Sequence, residues 1–134
     1  MPGPTAVGRL NMRVTKTATS LARERDGRSG VIDVSTSAAE VLVTVTGDLD
    51  LSASEVAQSA LRQISHLQHD RLVLDVCDMG FMDSSGASWL ITLADEIGRR
   101  GGTVVLRGAS ARDMFVLKVT GALDLFEIDE THRC

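Results

Sequence analysis

Two short acidic runs hold the residues whose type and spacing could do chemistry: Asp83-Ser84-Ser85-Gly86 and Gly47-Asp48-Leu49-Asp50. A serine hydroxyl in such a run has three uses: a nucleophile, a helix cap or a phosphate acceptor. The nucleophile needs a base and a strained turn of the GxSxG type, and here Met82 and Asp83 stand where glycine would be required. The histidines are His66, His69 and His132, none beside either serine in sequence. A serine hydrolase is therefore the weaker reading. As a cap, Asp83 or Ser84 would accept hydrogen bonds from the first amides of a helix, and Gly86 would permit a close backbone approach.

Other groups offer less. His66 and His69 have metal-ligand spacing but no third ligand nearby in sequence, which favours solvated residues at a helix end. Gly98-Arg99-Arg100-Gly101-Gly102-Thr103 is glycine-rich, yet it lacks the order of a phosphate loop and precedes a strand pattern. Cys77 and Cys134 form no CxxC motif, so spacing supports neither a zinc site nor a disulfide framework, and free thiols in a reducing compartment are expected.

The elements that must position these runs follow from periodicity. Val31-Ile32-Asp33-Val34 and residues 41–46 read as two β-branched strands in an antiparallel pair, with Gly47-Asp48-Leu49-Asp50 ending the second. Ser52-Ala53-Ser54-Glu55 has the form of a capping box, and Val56, Ala60, Ile64 and Leu67 continue at helical spacing. Residues 72–76 form a nearly continuous apolar run, the mark of a central strand covered on both faces. Ala87, Leu90, Ala94 and Ile97 place a second helix directly after Asp83-Ser84-Ser85-Gly86, closed by Arg99-Arg100-Gly101-Gly102. Residues 103–107 are a further strand, Ser110 to Asp113 caps a third helix over residues 114–120, and Phe126-Glu127-Ile128 is a last short strand. The expected fold class is α/β: a single domain with a mostly parallel mixed sheet of about five strands and helices packed against it.

Composition limits the partners. The 134 residues allow one core, and with 43% hydrophobic but only 3% aromatic residues that core is aliphatic. The net charge of -4 is split: residues 1–30 hold six bases and two acids, whereas the remaining 104 hold eight bases and sixteen acids. An acidic body almost without rings is a poor nucleic-acid surface. No apolar run approaches the roughly 18 to 20 residues of a membrane helix, and no secretory signal is evident, so a cytoplasmic location is expected. Residues 1–29 read as a disordered basic leader, similar to a transit peptide in its acid-free first 23 residues but equally to a plain extension. Residues 30–130 form the domain and 131–134 a C-terminal tail.

Taken together, Phe81-Met82-Asp83-Ser84-Ser85-Gly86 after the strand at 72–76, and Gly47-Asp48-Leu49-Asp50 before a helix, closely resemble the STAS domain of bacterial anti-sigma factor antagonists. The resemblance spans roughly residues 30 to 130. It implies a non-catalytic protein-binding module without cofactor or metal, whose partner is an anti-sigma factor that is itself a serine kinase. The unphosphorylated form would bind that partner and release the sigma factor, and phosphorylation at Ser84 would end binding. Asp48, Asp50, Asp83, Ser85 and Gly86 would shape the partner site. After the motif, Ala87-Ser88-Trp89 replaces the family's more usual small or leucine-and-glycine continuation, and Trp89 would either pack in the core or anchor the interface. The alternative is a STAS scaffold subunit of a stress-sensing or lipid-transport complex.

Overall fold

Among the described residues, the β-branched, alternating and capped segments assemble into one mixed sheet with three α-helices. The computed structural model describes residues 10–14 and 30–134. The strands are β1 (Leu10–Val14), β2 (Val31–Thr36), β3 (Val41–Leu49), β4 (Arg71–Met82), β5 (Thr103–Arg107) and β6 (Glu127–Asp129). The helices are α1 (Ser54–Ser65), α2 (Ser84–Gly98) and α3 (Ala111–Val119). Sheet order follows chain order, β1-β2-β3-β4-β5-β6. The first two pairings are antiparallel and the remaining three parallel.

One strand was not expected. Leu10–Val14 lies within the segment read as a disordered leader, yet it pairs antiparallel with β2, Met12 opposite Val34. The basic, unpatterned sequence around it hides a five-residue stretch whose ladder partner is 22 residues away; the rest of the leader lies outside the described residues.

Alternation decides how the sheet is covered. Ile32 and Val34 of β2 and Val41, Val43 and Val45 of β3 are buried while their neighbours are half-exposed, so these strands cover one face. In β4 and β5 three successive residues are buried, Leu72 to Leu74 and Val104 to Leu106. Val73 and Val105 thus point away from the main core and are covered on the opposite face. The expected central strand covered on both faces is β4. The core is aliphatic apart from Trp89 and Phe126. Helices α1 and α2 pack on it side by side, α1 against β2 and α2 against β4 and β5.

Local chemistry sets most helix boundaries. Ser110 accepts from the Asp113 amide at 3.0 Å while the Asp113 carboxylate accepts from the Ser110 amide, the full reciprocal box, and α3 begins at Ala111, before residue 114. The box expected at Ser52 to Glu55 is absent. Asp50 instead caps a 3₁₀ turn over Leu51–Ala53 by accepting from the Ser52 amide at 3.0 Å, and α1 follows from Ser54 with no side-chain cap. At the other end of α1, Arg100 supplies what the helix lacks. Its guanidinium donates to the carbonyls of Leu67 (2.6 Å), His69 (2.9 Å) and Ile64 (3.2 Å), and pairs with Glu96 at 3.2 Å.

The cysteines also depart from expectation. Cys77 and Cys134 are disulfide-bonded, with Cα atoms 5.5 Å apart across 57 residues of sequence. Spacing could not show this, because β4 continues beyond its apolar run to carry Cys77, and the chain returns to it only after β6. Of the histidines, His66 Nδ1 lies 2.7 Å from the Arg62 carbonyl and His69 Nε2 lies 2.7 Å from the Ser37 carbonyl.

Arg100→Ala is expected to lower stability by about 1–3 kcal/mol, since partly buried α1 carbonyls lose a charged donor. Urea denaturation checks this, and an unchanged midpoint would refute the hub role.

Candidate functional site

The site grows from an irregularity. Gly47 adopts φ +80 where the β3–β4 register shifts, so the strand is irregular at Gly47-Asp48 but runs on to Leu49, ending inside the run. Beyond the irregularity, Leu49 still pairs with Met82. The Asp48 carboxylate accepts the Phe81 amide at 2.8 Å, a side chain bridging the two strands where the ladder is interrupted. The run predicted to break the strand is therefore what brings the ends of β3 and β4 together.

Directly after Met82, Asp83 caps α2. Its Oδ1 accepts from the Ser85 amide at 2.8 Å and the Gly86 amide at 3.1 Å, so the helix-cap reading of this run holds, with Asp83 as the cap. Ser84, the first residue of α2, is exposed. Ser85 is half-buried and Gly86 fully buried. A Cβ on Gly86 would collide with the Leu49 carbonyl oxygen and lie 2.9 Å from Met82 Cγ. Glycine is required there because β3 and α2 meet backbone to backbone.

Ser85 and Gly86 open onto a groove of about 440 Å³ between α1 and α2, shared with Asp50, Ala57, Leu61 and Trp89. Trp89 is 7% exposed, and its indole N–H donates to the Ala57 carbonyl at 2.7 Å. Its bulk thus packs in the core, and only an edge faces the groove. Four sequence-derived positions, Asp50, Ser85, Gly86 and Trp89, line this groove, while Asp48 and Asp83 accept backbone amides at its end of the sheet. Ser84 does not line the groove and is exposed next to Ser85, which does. All of this sits at the carboxyl ends of two parallel strands, where open α/β sheets place their ligand sites.

The same end carries residues that sequence reasoning missed. Leu51 is 70% exposed and Phe81 42% exposed, and the Arg112 guanidinium lies 5.0 Å from the centre of the Phe81 ring. This contact ties the start of α3 to the site. The available signal was Phe81 itself, an aromatic two residues before Asp83 in a chain nearly devoid of rings.

Residues 29–133 match the sequence profile of the STAS domain. The chain belongs to the STAS domain family. In fold it is similar to an anti-sigma factor antagonist from Mycobacterium paratuberculosis, at 24% identity and TM-score 0.65 over 78% of this chain and 89% of that one. It is also similar to Bacillus SpoIIAA in its unphosphorylated form, at 19% identity and TM-score 0.58, covering 69% and 82% of the two chains. A third likeness is to the STAS domain of a SulP transporter from Vibrio cholerae, at 21% identity and TM-score 0.55, covering 82% and 84%. The likenesses concern the fold. In this STAS domain no helix among the described residues is long and apolar enough to cross a membrane.

The contrast between adjacent residues of the STAS motif gives a test. Gly86→Ala should cost about 1–3 kcal/mol by overpacking against Leu49, whereas Ser84→Ala should change stability by less than about 0.5 kcal/mol. Parallel urea melts measure both, and equal losses would contradict the assigned geometry.

Proposed function

We propose that this STAS domain is a non-catalytic, cytoplasmic anti-sigma factor antagonist whose binding is switched at Ser84. The unphosphorylated form binds an anti-sigma factor that is a serine kinase and so frees the sigma factor. Phosphorylation of Ser84 ends the complex. The observation that carries this reading is the exposed Ser84 at the first position of α2, at the sheet end where Leu51 and Phe81, which follow or close β3 and β4, are also exposed.

The physics of the switch follows from Asp83. A helix N-terminus ordinarily welcomes a phosphate through its amides and dipole. Here the Ser85 and Gly86 amides already bond to the Asp83 carboxylate. A phosphate on Ser84 would add about -1.5 to -2 charge beside that carboxylate, with those two donors taken. The added charge would stand out toward solvent and the partner, leaving the fold intact. Each ~1.4 kcal/mol of repulsion and desolvation weakens binding tenfold, so a few kcal/mol releases the partner. Exposed Leu51 and Phe81, at the same end of the sheet, would supply the contact that this charge opposes.

The histidines support a binding role over hydrolysis, because His66 and His69 bond to backbone carbonyls away from the motif and His132 lies beside the cysteines. The likeness to a SulP STAS domain supports the scaffold alternative only at the level of fold.

With a kinase-type anti-sigma factor and ATP, mass spectrometry should place the phosphate on Ser84. Ser84→Ala should bind and resist release, while Ser84→Asp should bind at least about tenfold more weakly in pull-downs. Phosphate on another residue, or undiminished binding by Ser84→Asp, would overturn the proposal. A constitutive larger complex indifferent to Ser84 would identify a scaffold.

A further inference from the structure

Away from the groove, the C-terminal tail builds a second constellation. One donor atom each from Cys77, His132 and Cys134 lies within 4.8 Å of the other two. We propose that the reduced protein binds a zinc ion through the Cys77 and Cys134 thiolates and the His132 imidazole, and that the disulfide is the closed, metal-free state of the same site.

Each ligand is held by its surroundings. The Cys77 amide donates to Asp75 Oδ1 at 3.0 Å, and Asp75 is held in turn by Arg107 at 3.4 Å. The tail turns at Asp129, whose Oδ1 accepts from the Thr131 amide at 3.0 Å and the Thr131 hydroxyl at 2.7 Å. These bonds, the hydroxyl first, hold the Asp129 carboxyl below the usual carboxylate range. The turn presents His132 and Cys134, two residues apart, to Cys77 on β4. Gly108 leaves room for both sulfurs: its φ is +84, and a Cβ there would lie 2.5 Å from Cys77 Sγ and 3.0 Å from Cys134 Sγ.

The donor set suits zinc. Thiolates bind at about 2.3 Å and imidazole at about 2.0–2.1 Å, which spaces the donors of a tetrahedral ion by roughly 3.5–4 Å, within the reach of this cluster once the sulfurs part. Three protein ligands leave a fourth position for water, and a cavity of about 320 Å³ bordered by Gly108, Asp129, Glu130, His132 and Cys134 adjoins the site. A dithiol reductant opens it: two electrons and two protons convert the S–S bond to two thiols while the reductant becomes a disulfide. Zinc binding then displaces both thiol protons to solvent. Disulfide and metal exclude each other, which makes occupancy depend on redox state.

The full chain, reduced and desalted without oxygen, is titrated with Co²⁺ and then with Zn²⁺ against a chromophoric chelator. A single equivalent of Co²⁺ should give thiolate charge-transfer and tetrahedral ligand-field absorption, abolished by Zn²⁺, and the oxidised chain should give neither. His132→Ala should weaken zinc binding by on the order of tenfold or more, and Cys134→Ser should remove most of the charge-transfer band. Absence of the bands in the reduced chain, equal binding by the oxidised chain, or wild-type affinity in either variant would overturn the proposal. The oxidised and reduced comparison needs no substitution, so it decides the matter even where a variant fails to fold.

Discussion

The contact between Gly86 and the Leu49 carbonyl is the constraint on which the site depends. It requires the first turn of α2 to lie against the end of β3, with no side chain between them. Helical geometry then distributes the neighbours: Ser84 falls outside, Ser85 turns toward the groove, and Trp89, one turn further, reaches the Ala57 carbonyl on α1. One backbone approach thus fixes an exposed hydroxyl, a groove and the spacing of two helices. The irregularity at Gly47 makes the approach possible by carrying β3 on to meet Met82.

The acidic residues around this contact combine two roles that are easily taken as alternatives. Asp48 bridges strands, Asp50 caps the turn before α1, and Asp83 caps α2, each by accepting backbone amides. Their hydrogen bonds are structural, but their charge remains. Any group added at Ser84 meets a potential already set by the residues that hold the fold.

Much of the architecture was legible because it rests on local rules. The helix after Asp83-Ser84-Ser85-Gly86, the capping box at Ser110 and the doubly covered strand at 72–76 each depend on neighbours a few residues apart. Apart from the cap, which Asp50 takes from two residues away, the misreadings share one cause, partners distant in sequence. Gly47 looks like a strand end until Leu49 is seen opposite Met82, and Ser52 to Glu55 looks like a cap until Asp50 takes that place. The Cys77–Cys134 pair and the β1 strand arise from chain returns that no motif announces. In the candidate site the motif residues were visible through the resemblance to a family motif, whereas Arg112 over Phe81 and the walls supplied by Ala57 and Leu61 required the packing of three helices.

A sheet whose strand order repeats its sequence order has a consequence for how the chain comes to be made. No strand must be threaded between two already paired, so each can add to a growing edge as it leaves the ribosome. Loop-closure entropy is met in small instalments, the condition that favours rapid folding in an otherwise β-rich topology. The disulfide departs from this order, because its second cysteine, Cys134, follows every strand; the tail is fastened after the sheet it closes upon.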